Sequence, residues 1–122
     1  MRTIIFLMGI FLMTSICQAA DPWSERDKYL EATYFVFHLT DWAQTRDIES
    51  RSNEGYYETN KVLGKHPSLD QVNGYFIATG LLHLGIVHLL PKEYRPWFQI
   101  ITIGVEVGCD VHNYSAGVRL KF

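Results

Sequence analysis

The chain contains few of the residue patterns that mark known catalytic or cofactor sites. It has only two cysteines in 122 residues and no C-x-x-C pair, so a disulfide framework is not predicted. Neither an H-E-x-x-H motif nor a phosphate-binding glycine loop occurs, and no motif indicates a cofactor. The net charge is −2 and no basic patch is interleaved with aromatic residues, which argues against a nucleic-acid partner.

Apolar residues are abundant and are gathered into blocks. They make up 48% of the chain, although the mean hydropathy is only −0.02. The first block, MRTIIFLMGIFLMTSICQAAD, has an early arginine, an apolar run and then small residues, which is the layout of a secretory signal peptide. We predict a signal peptide at 1–19 and a single helical membrane domain at 20–122. An uncleaved N-terminal anchor helix and a lipid anchor at Cys17 are the alternatives.

Three further apolar segments follow, at Tyr29–Thr45, Val72–Leu90 and Trp97–Val118. The second carries no formal charge and approaches the ~20 residues that cross a bilayer core. The predicted fold class is therefore all-α, a small integral-membrane bundle of about three helices in the bacterial inner membrane. A periplasmic helical bundle is one alternative. An outer-membrane protein is another, because the C-terminal residues alternate between apolar and polar as in the last strand of a barrel.

The connections between these segments predict the topology. Ser68 is a plausible N-cap ahead of the second segment. The sequence PKEYRP predicts a tight turn that makes the second and third segments an antiparallel pair. Lysine and arginine are slightly more frequent in the first long loop and the C-terminal tail, which favours a cytoplasmic location for both. Glycine pairs, Gly80 with Gly85 and Gly104 with Gly108, predict close helix packing within the monomer.

Polar residues recur every three or four positions along the apolar segments, so each segment carries one polar face. A charge facing lipid costs about 2.5–3.5 kcal/mol, so these faces are expected to meet inside the bundle. Two loop residues, Glu58 and Asn60, either cap a turn or fold back to the mouth of this polar seam. The predicted seam contains His38, Asp41, Thr45, Glu58, Asn60, His83, Glu106, Asp110 and Asn113. By contrast, His88 is expected at the membrane edge beside Pro91.

Carboxylates and imidazoles in a membrane can hold a metal, relay a proton or act as acid and base. The metal candidates are His83, Glu106 and Asp110, and the catalytic candidates are Asp41, His83 and Glu106. The alternative is that the seam consists of structural hydrogen bonds between helices, worth about 0.6 kcal/mol each.

Several short motifs resemble those of a group of uncharacterised small bacterial and phage membrane proteins. The matching residues are Asp41 and Thr45 one turn apart, Glu58-x-Asn60 in the loop, His66-Pro67-Ser68 before a helix, and the pair His112-Asn113. That group commonly has proline after the asparagine, where this chain has Lys61. The resemblance implies a polytopic helical membrane fold and brings no known activity, substrate or cofactor.

Three functions are consistent with these patterns. The first is a small envelope protein that acts by binding membrane lipid, a larger membrane protein or a second copy of itself. The second is a minimal membrane-embedded hydrolase, with or without a metal. The third is a phage-type factor for lysis or superinfection exclusion. The first is favoured because no catalytic spacing reaches the strength of a motif.

Overall fold

A computed structural model describes residues 20–121, and every regular element in that range is helical. Helix α1 spans Glu25–Ser50, a short 3-10 turn spans Ser52–Glu54, α2 spans Leu69–Leu89 and α3 spans Arg95–Ser115. The predicted all-α fold with three helices is confirmed. The predicted signal peptide at 1–19 lies outside the described residues. Between 20 and 121 the chain has no strand, so the alternation near the C-terminus does not form one there.

Side-chain caps fix the starts of the first two helices. The Ser24 hydroxyl accepts a hydrogen bond from the Asp27 amide at 3.1 Å, and the Asp27 carboxylate accepts one from the Ser24 amide at 3.0 Å. This capping box starts α1 a full turn before the predicted apolar segment. Ser68 and Gln71 form the same arrangement, so the predicted cap of α2 is confirmed.

Helix α1 lies between the other two helices. It packs most extensively on α3 and less on α2, whereas α2 and α3 touch only slightly. The turn after Leu90 reverses the chain as predicted, since Arg95 contacts Val87 and Thr102 contacts His83, but the two antiparallel helices touch only slightly. The polar face of α1 contacts both neighbours.

Close packing occurs at one of the four predicted glycines. A Cβ atom at Gly80 would lie 3.3 Å from the Phe35 ring and 3.4 Å from His38 Nε2, so α1 and α2 approach each other there. The prediction is wrong for Gly85, Gly104 and Gly108, which have no such neighbour within 4 Å among residues 20–121. All three of these glycines are exposed.

Polar residues occupy much of the interior, and apolar residues occupy much of the surface. The buried polar side chains include Asp27, Glu31, His38, Gln44, His83, Arg95, Gln99 and Asp110. Large apolar side chains are exposed along all three helices, among them Val36, Ile77, Leu81, Leu82, Ile100, Ile101 and Val111. Of the described helices, α2 alone is long and apolar enough to cross a membrane, which is slight support for membrane association.

Candidate functional site

A buried arginine closes the end of the bundle where α1 and α3 begin. Arg95 is fully buried, and its guanidinium donates to Asp27 Oδ2 at 3.1 Å. The remaining donors bind four backbone carbonyl oxygens, those of Asp21, Pro22, Val87 and Leu90. The guanidinium thereby ties the chain before α1 to the turn between α2 and α3.

Asp27 completes this ion pair as a carboxylate. Burial by itself raises the pKa of Asp27, but hydrogen bonds from Ser24 and the Arg95 guanidinium outweigh burial and lower that pKa below its usual value. Sequence patterns missed both residues. Arg95 lies in PKEYRP, which predicts a turn and gives no sign of a buried ion pair.

One buried histidine, His83 on α2, bridges α1 and α3. Its Nδ1 lies 3.1 Å from Glu31 Oε1, and its Nε2 lies 2.8 Å from the Thr102 hydroxyl. The Thr102 hydroxyl also lies 2.9 Å from the carbonyl of Phe98, and when it donates there it can accept from His83 Nε2. Gln99 donates to the other Glu31 oxygen at 2.9 Å. This arrangement confirms that His83 meets a carboxylate of a neighbouring helix, but that carboxylate is Glu31, which was not among the predicted site residues.

The other buried histidine, His38 on α1, forms a similar bridge to α2 and α3 further along the bundle. Its Nε2 donates to the carbonyl oxygen of Phe76 at 2.9 Å, and its Nδ1 lies 2.8 Å from Glu106 Oε1. The His38 side chain is 4% exposed and that of Glu106 is 14% exposed. The predicted meeting of these two seam residues is therefore found.

Tyr34 lies between the two histidine–glutamate pairs. Its ring stacks on His83 with centroids 3.4 Å apart and planes 5° apart, and it also stacks on His38 with centroids 5.3 Å apart. Its hydroxyl lies 3.3 Å from His38 Nδ1. Because Tyr34 is 4% exposed, the three rings form a buried column inside the bundle.

The seam continues towards the other end of the bundle. The Asn113 amide donates to Asp41 Oδ1 at 2.9 Å and so joins α3 to α1. The Gln44 amide donates to the backbone carbonyl of Asp110 at 3.2 Å. Neither carboxylate oxygen of Asp110, which is 8% exposed, has a hydrogen-bond partner in the described part of the chain.

An open cavity of about 370 Å³ lies at this end. Helix α1 contributes Asp41 and Thr45, and the loop contributes Glu58 and Asn60. Helix α3 adds Val105, Gly108, Cys109, His112 and Asn113, and further lining comes from Thr59, Leu63 and Phe76. The residues of three of the quoted motifs therefore line one cavity.

Glu58 and Asn60 also organise the loop that forms this wall. The Glu58 carboxylate accepts from the Asn60 amide at 2.7 Å, and the Asn60 side-chain oxygen accepts from the Val62 amide at 2.9 Å. These side chain to backbone bonds are typical of turns. Both alternatives for these residues are thus found together, because they shape a turn and the turn brings them to the mouth of the seam.

The predicted metal and catalytic sets are not brought together. His83 pairs with Glu31, Glu106 pairs with His38, Asp41 binds Asn113 and Asp110 has no side-chain partner. Between residues 20 and 121, no group of three or more His, Cys, Asp or Glu side chains could hold a metal ion. The metal candidates His83, Glu106 and Asp110 therefore do not form such a group in this part of the chain.

The remaining histidines lie at the surface. His88 is exposed beside the turn after α2, where its Nδ1 accepts a hydrogen bond from the Trp23 indole at 3.3 Å. His112 is exposed on α3 and contributes to the cavity wall. His66 is exposed in the loop before α2.

Comparisons with protein-family models, with curated proteins and with solved structures found no match to this chain. The resemblance to small bacterial and phage membrane proteins therefore stays a prediction, as do the functions that follow from the sequence patterns.

Proposed function

We propose that this protein is a membrane-embedded binding protein of the bacterial cell envelope, which engages a partner through the polar cavity at one end of its bundle. The convergence of α1, α3 and the intervening loop on that cavity carries the proposal. The lining residues are spread along the sequence from Asp41 to Asn113, yet they surround the same cavity. Pockets with a few convergent polar groups are the usual form of a binding site.

The distribution of side chains supports the membrane part of the proposal. Burying ionisable groups while exposing leucine and isoleucine is unfavourable in water, since apolar burial is the main driving force of folding. In a bilayer the same arrangement is favourable, because lipid covers the apolar surface and the polar groups pair with one another. The three spans would be the apolar segments Tyr29–Thr45, Val72–Leu90 and Trp97–Val118, with Asp27 and Arg95 outside them.

The cavity chemistry limits what it can bind. Two carboxylates, Asp41 and Glu58, face it together with the polar side chains of Thr45, Asn60 and Asn113. No lysine or arginine is among the described lining residues. Such a wall suits a group that donates hydrogen bonds, on a protein or small molecule of the envelope, better than it suits an anion.

Binding is better supported than hydrolysis. A general base needs an unengaged nitrogen or oxygen within reach of the substrate. His38 and His83 each have both ring nitrogens within hydrogen-bond distance of another group inside the bundle. His83, the imidazole among the catalytic candidates, therefore serves as an internal contact in this conformation.

Site-specific photo-cross-linking in intact cells tests the proposal. A photoreactive amino acid at Leu63, which lines the cavity, should give a discrete adduct, and Asp41→Asn or Asn113→Ala should weaken it. The same amino acid at Val62 is the matched control, because Val62 is 80% exposed and does not line the cavity. Identical adducts from both positions, unaffected by the cavity variants, would contradict a binding role for the cavity.

A further inference from the structure

The two histidine–glutamate pairs have the same arrangement of donors and acceptors. In each pair one ring nitrogen faces an oxygen that accepts. For His38 that oxygen is the carbonyl of Phe76, which can only accept, and for His83 it is the Thr102 hydroxyl, which accepts when its own hydrogen binds the Phe98 carbonyl. We therefore assign a proton to Nε2 of both imidazoles.

The other nitrogen of each ring faces a glutamate. His38 Nδ1 is 2.8 Å from Glu106 Oε1, and His83 Nδ1 is 3.1 Å from Glu31 Oε1. A bare nitrogen opposite a carboxylate would place two lone pairs against each other in a buried site, which is unfavourable. One proton between them removes the conflict, whether it resides on nitrogen or on oxygen, and leaves each pair with no net charge.

We propose that His38–Glu106 and His83–Glu31 are proton-binding sites, each holding one proton between an imidazole and a carboxylate, and that the His38–Glu106 pair exchanges its proton with the cavity. These sites are separate from the ligand contacts of the cavity and do not depend on what the cavity binds. Their placement in one ring column, with Tyr34 between them, makes them two adjacent stores along the axis of the bundle.

Tyr34 stabilises the state that remains after the His38–Glu106 pair releases its proton. On release the Nδ1–H bond of the His38 imidazolium breaks and an O–H bond forms at Glu106. The proton then passes from Glu106 to water, which becomes hydronium, and a neutral imidazole and a carboxylate remain. The Tyr34 hydroxyl, 3.3 Å from Nδ1, can then donate to the bare nitrogen.

The surroundings of the two pairs differ. Around His38, α1 contributes Tyr34 and Asp41, α3 contributes Glu106 and Asp110, and α2 contributes only the Phe76 carbonyl. Around His83, the titratable groups are Glu31 and Tyr34 of α1, while α3 contributes only the neutral Gln99 and Thr102. The His38 pair is nearer the cavity, since Val105 and Cys109 flank Glu106 on α3 and line the cavity.

Nitrogen-15 NMR of the full chain, labelled at histidine and held in lipid bilayers, tests the proton count. In the wild type, His38 and His83 should each show a protonated Nε2 and a proton shared at Nδ1. In Glu106→Gln, His38 should become a neutral imidazole with a bare Nδ1, because the amide donates instead of accepting. The His83 signals should stay unchanged and thereby show that the bundle is intact, and Glu31→Gln should give the converse result.

A bare Nδ1 on His38 in the wild type would overturn the proposal, as would a spectrum that Glu106→Gln leaves unchanged. Tyr34→Phe tests the release step. Exchange of the shared His38 proton with water should slow about fivefold when a hydrogen bond to the released state is lost. An unchanged exchange rate in Tyr34→Phe, with both pairs still protonated, would remove Tyr34 and the exchange route from the proposal.

Discussion

The Arg95 guanidinium donates a hydrogen bond to the Asp27 carboxylate across 3.1 Å, and neither residue is more than 1% exposed. The contact joins the first turn of α1 to the first residue of α3. Four backbone carbonyls accept hydrogen bonds from the other guanidinium donors, so every donor of Arg95 has a partner within the protein. A buried pair with this many partners makes the bundle sensitive to loss of either member.

Replacing Arg95 by methionine should therefore destabilise the fold severely. The change leaves the Asp27 carboxylate buried without its partner, and breaking such a pair costs about 3–5 kcal/mol. Unfolding in detergent, followed by circular dichroism, measures the loss. Arg26→Met is the matched control, because Arg26 is exposed one residue before Asp27, and it should change stability little. Equal stability of the two variants would show that the Arg95 pair contributes nothing.

Acid should weaken the same end of the bundle. The pKa of Asp27 is lower in the folded chain than its ordinary value of 3.8, so the unfolded chain binds more protons in this range. The stability that Asp27 contributes is fully present above about pH 3.8 and is lost as the pH falls further, through the folded pKa.

Unfolding curves at pH 6 and pH 3 measure this effect. Asp27→Asn should be less stable at pH 6 and should lose less between the two pH values than the wild type does. Glu25→Gln, an exposed residue in the same helical turn, should keep the wild-type difference. If Asp27→Asn loses as much stability between pH 6 and pH 3 as the wild type does, another group causes the acid sensitivity.

Gly80 should tolerate a side chain poorly, whereas Gly85 should tolerate one well. A Cβ at Gly80 meets Phe35 and the ring of His38, and a larger side chain there forces α1 and α2 apart. We expect Gly80→Leu to destabilise by about 1–3 kcal/mol. Gly85→Leu meets no atom within 4 Å at its Cβ and should be neutral or stabilise by up to about 1 kcal/mol through helix propensity. The opposite ranking in unfolding measurements would contradict the helix approach described here.

Gly117 fixes the C-terminal tail against the loop. Its φ is +91°, and a Cβ there would lie 2.9 Å from the Tyr56 hydroxyl. Gly117→Ala should cost about 1–3 kcal/mol from backbone strain and this contact together. Gly55→Ala, at φ +88° with open space around it, isolates the strain.

A second substitution separates the two causes of that cost. Tyr56→Phe removes the hydroxyl, so in the Gly117→Ala background it should recover the part due to the contact. If Gly117→Ala costs no more than Gly55→Ala, the contact with Tyr56 is unimportant.

Sequence patterns predicted the helices more accurately than the side-chain contacts between them. Periodicity along one helix reveals which residues share a face, so the meeting of His38 with Glu106 and of Asp41 with Asn113 lies on predicted polar faces. Periodicity does not reveal how far one helix is rotated or shifted against the next. For that reason His83 was expected beside Glu106 and Asp110, whereas the structure pairs it with Glu31.

Arg95 illustrates a second limit. A short segment with two prolines predicts a turn, and a charge in a turn is usually solvated. Here the turn ends at Tyr94, so Arg95 is already helical and its side chain points among the carbonyls of the adjoining segments. The prediction for the loop residues Glu58 and Asn60 was more accurate. One of the two alternatives placed them at the mouth of the seam, and both residues line the cavity there.

The central claim is that the apolar exterior of this bundle faces lipid, and Leu81→Lys tests it most directly. Leu81 is 65% exposed, so in a water-soluble protein lysine there would be harmless. In a bilayer it should oppose insertion by about 2.5–3.5 kcal/mol near the middle of a span. Alkaline extraction of cell membranes should retain the wild type and Val62→Lys, which changes an exposed loop residue, and should release much of Leu81→Lys. Wild-type chain in the soluble fraction, with Leu81→Lys equally stable there, would contradict the account.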